Sequence, residues 1–66
     1  MKIKYQGEMI ETAANTLSEL LAEKEIDPSA VIIEADGEIH ARGTDFSAVA
    51  LKEGGEVNLF RVVAGG

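Results

Sequence analysis

The chain has 66 residues, no cysteine and one histidine, which excludes a disulfide framework, thiolate metal sites and a cysteine nucleophile. Six Lys and Arg against twelve Asp and Glu give a net charge of −6, so no nucleic-acid partner is expected, because phosphate backbones call for a basic footprint. Hydrophobic content of 45% marks a single globular domain, and no apolar run approaches the ~18 residues of a membrane span.

Residues 1–12 are expected to form a hairpin. Ile3 and Tyr5 alternate with Lys2 and Lys4, Gln6-Gly7 breaks the run, and Met9, Ile10 and Thr12 resume it. A two-residue loop sets Tyr5 opposite Glu8, Ile3 opposite Ile10 and Lys2 opposite Glu11, which joins two isoleucines and pairs opposite charges. Gln is a weaker turn former than Asn or Asp, so the turn type stays open.

Residues 16–25 are expected to be the main helix. Thr16-Leu17-Ser18-Glu19 is a capping box, in which the Thr16 hydroxyl accepts from the Glu19 amide and the Glu19 side chain reaches back. Leu17, Leu20 and Leu21 then form one apolar stripe, and Pro28 stops the helix within a few residues. Residues 30–42 read as a second hairpin around Asp36-Gly37, its register open because a two-residue loop would set Ile39 opposite Glu34. Residues 44–51 are expected to make a short helical turn with Phe46, Val49 and Ala50 inward. Glu53-Gly54-Gly55 is a turn, and residues 56–63 are a last strand.

One helix covers only one face of a sheet, so that face is expected to pack on Leu17, Leu20 and Leu21 while the other meets solvent. The last strand should insert beside the first. The expected fold is therefore α+β, a ubiquitin-like β-grasp with a mixed sheet of about five strands packed on one α-helix. Residues 1–63 form the domain, and residues 64–66 a flexible C-terminal tail.

Enzyme chemistry finds little support. His40 has no metal-ligand or acidic partner at ligand spacing and reads as a strand residue, so no metal site is expected. Ser18, Ser29 and Ser47 lie in no nucleophile-elbow context. Glu19 is occupied by capping and Asp36 by its turn. Glu23 and Asp27, four residues apart, have the spacing of a general acid and base but read better as a solvated face. No catalytic residue is assigned.

The terminal Gly65-Gly66 is different. At ordinary glycine usage such a pair falls at a chain end about once in 200 sequences. It follows an apolar strand with no polar linker, which a frayed end would not require. A carboxylate that must enter another enzyme's active site needs a tail without side chains, and Val63 to Gly66 extend at most about 14 Å. Period-two alternation puts Val57 and Leu59 on one face of the last strand. Phe60 and Val62 fall on the other, as an exposed apolar pair before Ala64, Gly65 and Gly66. That pair is the candidate partner-binding surface.

The stretches EGGEVNLFRVVAGG, MKIKYQG, TLSELLAE and IIEADGEIHAR together resemble the thiamine-pathway sulfur carriers of the ThiS family. The resemblance covers essentially the whole chain. The terminal Ala64-Gly65-Gly66 is its most specific part, and Gly37-Glu38-Ile39 and Arg42 also fit. The chain departs from the family at Gln6, where Asn is frequent, at His40-Ala41 in place of Val-Pro, and at Gly55 in place of an acidic residue. The resemblance implies chemistry at Gly66. A ThiF-type adenylating enzyme activates its carboxylate as an acyl-adenylate, sulfur transfer gives a thiocarboxylate, and a ThiG-type thiazole synthase receives the sulfur. It also implies that the chain binds no cofactor itself, that ATP and a sulfur donor serve the partner enzymes, and that the free protein is monomeric.

Three rivals stand beside this reading. The small subunit of molybdopterin synthase shares fold and tail chemistry but is usually longer, often with prolines before its glycine pair, and Arg61-Val62-Val63-Ala64 has none. A ubiquitin-like modifier would join Gly66 to a lysine, and a plain binding module would not need Gly65-Gly66 at all. The start MKIKYQGEMIE lacks a signal-peptide pattern, so a cytoplasmic protein without a membrane partner is expected.

Overall fold

Two hairpins and one late strand share a single sheet in the computed structural model, which describes residues 1–61. The expectations for Val62, Val63, Ala64, Gly65 and Gly66, the tail boundary included, lie outside the described residues. The elements run β1 (Lys2–Tyr5), β2 (Glu8–Glu11), α1 (Leu17–Glu23), β3 (Val31–Ala35), β4 (Glu38–His40) and β5 (Glu56–Arg61). Single 3₁₀ turns at Pro28–Ala30 and Phe46–Ala48 fill the connections. The strand order is β2-β1-β5-β3-β4. Strand β5 is parallel to β1 and antiparallel to β3, so the last strand does insert beside the first, as the ubiquitin-like β-grasp requires.

The first hairpin adopts the expected register, with Lys2 opposite Glu11, Ile3 opposite Ile10 and Tyr5 opposite Glu8. Its turn is of type I′, since Gln6 and Gly7 both have positive φ, 51° and 85°. Asp36 and Gly37 repeat those values in the second hairpin. There the two-residue loop sets Ile39 opposite Glu34 and His40 opposite Ile33, which closes the open register. Ile39 is thereby turned to the solvent face, and His40 to the helix side.

Helix α1 begins as expected at Thr16, whose hydroxyl accepts the Glu19 amide at 3.2 Å. The returning Glu19 carboxylate accepts instead from the Asn15 amide at 2.6 Å, one residue earlier than a regular capping box. The helix ends before Pro28 can act. Glu25 takes φ 57°, its amide donates to the Ala22 carbonyl, and the Ile26 amide donates to the Leu21 carbonyl. This is a Schellman termination with glutamate at the position that usually holds glycine, and it folds Ile26 back against the core.

Ile3, Leu17, Leu20, Leu21, Val31, Ile33, Phe46, Leu51 and Val57 make the core between helix and sheet. Phe46 is inward and Val49 packs on the core, as expected, but Ala50 is exposed and Leu51 takes the inward place. The reason is backbone pairing. Leu17 donates to the Val49 carbonyl and Leu51 to the Asn15 carbonyl, so residues 49–51 run extended and alternate with period two.

Candidate functional site

The strand that leads to the terminal glycines sits in the middle of the sheet, and its alternation fixes what each residue faces. Val57 is buried and Leu59 packs against the core, whereas Glu56 and Phe60 are exposed on the other side. Phe60 is 52% exposed, where the sequence placed it. It lies opposite Ile32 of β3. Ile39, 58% exposed, stands opposite Glu34 on the same face, and the Asn58 amide donates to Glu34 at 3.1 Å between them. The open face therefore presents Phe60, Ile32 and Ile39 around one satisfied polar pair. Val62, the second half of the expected apolar pair, is outside the described residues.

Backbone bonds from the β1 side hold the start of β5. Lys4 donates to the Gly55 carbonyl at 2.8 Å and Gln6 to the Val57 carbonyl at 2.9 Å. Strand β1 stops at Tyr5 while β5 continues to Arg61. The next rung on that side is made by a side chain. Leu59 N–H donates to Gln6 Oε1 at 2.9 Å, and Gln6 Nε2 donates back to the Leu59 carbonyl at 3.4 Å. On the β3 side, the Asp36 amide donates to the Glu56 carbonyl, and the Glu56 amide donates to Asp36 Oδ1, both at 2.8 Å. Gly55 makes this approach possible. A Cβ there would lie 3.0 Å from the Lys52 carbonyl oxygen and 3.1 Å from Asp36 Oδ1.

Two cations lie near Tyr5, whose core-side ring ends β1. Lys24 Nζ is 5.2 Å from the ring centroid. Burial raises the Tyr5 phenol above the ordinary tyrosine value, and the charge of Arg61 partly offsets this. At Asp27 the Ser29 backbone amide, then the Ser29 hydroxyl, hold the carboxyl below the usual aspartate value.

The remaining candidates are ordinary structural groups. His40 is half-buried and does have an acidic neighbour, Glu38, with Nε2 at 3.3 Å from Oε1. The described residues contain no group of three side chains able to hold a metal ion. Glu23 and Asp27 share no helix face, because α1 ends between them. Glu23 accepts from the Thr12 hydroxyl at 2.8 Å, and Asp27 caps the Pro28–Ala30 turn. Ser29 and Ser47 are occupied in the turns begun by Asp27 and Asp45, and Ser18 is an exposed residue of α1. No helix among the described residues is long and apolar enough to cross a membrane.

Sequence reasoning missed the side-chain rungs of Gln6 and Asp36. A glutamine at a turn position that favours asparagine was the available signal.

A family model described as the ThiS family matches residues 3–66. Comparison with curated proteins gives no match. Among solved structures, the chain is similar to the crystal structure of a thiamine biosynthesis protein (ThiS) from Geobacter metallireducens. The two are 27% identical over 100% of both chains, with a TM-score of 0.77.

Proposed function

The chain belongs to the ThiS family, and from that membership we propose that it carries sulfur for thiamine biosynthesis on the carboxylate of Gly66. The observation that carries the proposal is the reach of the family match, which runs through Ala64, Gly65 and Gly66.

The chemistry divides between this chain and its partners. A ThiF-type adenylating enzyme brings ATP. A Gly66 carboxylate oxygen attacks the α-phosphorus and pyrophosphate leaves, giving an acyl-adenylate. A sulfur nucleophile that the donor delivers at the oxidation level of hydrosulfide then attacks the acyl carbon and AMP leaves, so the chain ends in a thiocarboxylate. A ThiG-type thiazole synthase takes that sulfur into the thiazole ring. The protein itself supplies a reacting group without neighbouring side chains and a folded body by which the enzyme holds it.

Phe60 and Val62 form the proposed grip of that body. Support comes from Phe60, whose ring stays exposed beside Ile32 on the uncovered face. Burying a Phe ring contributes about 1.5–3 kcal/mol, or roughly 10- to 150-fold in affinity.

The test removes Gly66 or replaces it, Gly66→Ala. Circular dichroism should stay unchanged while ATP-dependent adenylation is lost. The intact chain, given a sulfur donor, should gain the mass difference between sulfur and oxygen. Normal adenylation of the truncated chain overturns the proposal. A larger covalent adduct on a lysine would instead identify a protein modifier.

A further inference from the structure

We infer that Gln6 is a positioning residue, which holds Leu59, Phe60 and Arg61 at the end of β5 extended for recognition by an adenylating enzyme. The inference rests on the carrier function proposed above, and it names a residue far from Gly66 in sequence that serves the same reaction.

Strand β5 outruns β1. After Tyr5 turns away, residues 58–61 have, among the described residues, a strand partner on the β3 side only. A strand end with backbone groups open along one edge exchanges readily between extended and frayed forms. Gln6 meets the first open rung by offering an acceptor and a donor to the two backbone groups of Leu59. Its own amide is fixed on the Val57 carbonyl, so one residue spans two successive rungs of the same edge.

The side chain is chosen against the needs of its turn. Gln6 sits at φ 51°, a conformation that Asn and Asp accept more easily, and Gly7 follows at 85°. Asparagine would make the better type I′ turn. With the backbone of residue 6 held on Val57, however, its amide would fall short of Leu59 by about the length of one carbon–carbon bond. Turn quality and strand clamping therefore demand different residues here, and the chain has the one that clamps.

The functional consequence is preorganisation. When the fold already holds Leu59, Phe60 and Arg61 extended, the enzyme need not order them on binding. Once bound, the reacting carboxylate meets the same active site with or without the clamp. Losing the clamp should thus raise the KM for the carrier and leave kcat alone.

The experiment compares the full-length chain with Gln6→Asn and Gln6→Glu. The adenylating enzyme turns over each with ATP, pyrophosphate release is followed, and amide hydrogen exchange is measured on each free protein. Gln6→Asn should melt at the same or a higher temperature than the parent. Its Leu59 amide should exchange about tenfold faster, and its KM should rise about three- to tenfold at constant kcat. Gln6→Glu keeps the acceptor and loses the donor, so it should restore part of the Leu59 protection and fall between the other two in KM. Unchanged Leu59 exchange in Gln6→Asn overturns the clamp, and lost protection with unchanged KM overturns its positioning role. A parent chain that is not adenylated at all overturns the carrier function and this role with it. The exchange data need no enzyme, so they distinguish that failure from failure of the clamp.

Discussion

The molecule has two phenylalanines, and they stand on opposite sides of its sheet. Phe46 is 5% exposed, in a 3₁₀ turn started by Asp45, whose carboxylate accepts the Ser47 amide at 3.1 Å. The turn drives the ring into the core between α1 and the strands. Phe60 is 52% exposed on β5, with Ile32 opposite and, among the described residues, no second layer above it. The same side chain completes the packing in one place and is left over from it in the other. Among the described residues one helix of seven residues covers one sheet face, and apolar groups on the second face contribute little to the fold.

Substitutions at each face test that difference. Phe46→Ala should have the largest effect, about 3–5 kcal/mol of lost stability in urea unfolding. That is comparable to everything a core of this size supplies, so the variant should be largely unfolded at room temperature. A loss under about 1 kcal/mol would mean that the turn holding Phe46 is peripheral.

Phe60→Ala should come next, with its effect in a different measurement. Binding to the adenylating enzyme should weaken at least about tenfold, while unfolding stability changes by less than about 1 kcal/mol. A stability loss like that of Phe46→Ala would erase the contrast between the faces.

The smallest effect belongs to Tyr5, at the rim of the covered face. Its phenol is raised in the fold, chiefly by burial, so the protonated form is favoured over the unfolded chain. That contribution is complete below the unfolded tyrosine value of about 10 and is lost as pH rises through the folded value. Tyr5→Phe should flatten the alkaline decline of the melting temperature, and an equally steep decline would assign it to other groups.

The two faces were legible in the sequence because period two and a single leucine stripe are strong signals. Leu17, Leu20 and Leu21 named the covered side, and Val57-Asn58-Leu59-Phe60 named the exposed ring. Details set by long-range contact were not legible. Glu25 carries no sign of a helix stop, and only its left-handed backbone shows one. Ala50 and Leu51 exchange roles because residues 49–51 pair with the start of α1, a contact that helical periodicity cannot anticipate. At the candidate site, alternation exposed Phe60, but the company of Ile39 depended on a hairpin register the sequence left open. Gln6 and Asp36 were both read as turn residues. Their second role reaches β5, 20 positions on from Asp36 and 53 from Gln6, and no local pattern encodes it.

The central place of β5 also orders events during synthesis. Both hairpins leave the ribosome before the strand that joins them, and neither pairs with the other, since β1 and β3 each contact β5 instead. A single two-stranded hairpin is marginal in water. The sheet therefore cannot close until residues 56–61 have emerged, and chains interrupted before that point have no folded body. The exposed face that carries Phe60 and Ile32 therefore exists only once the last strand has joined the two hairpins.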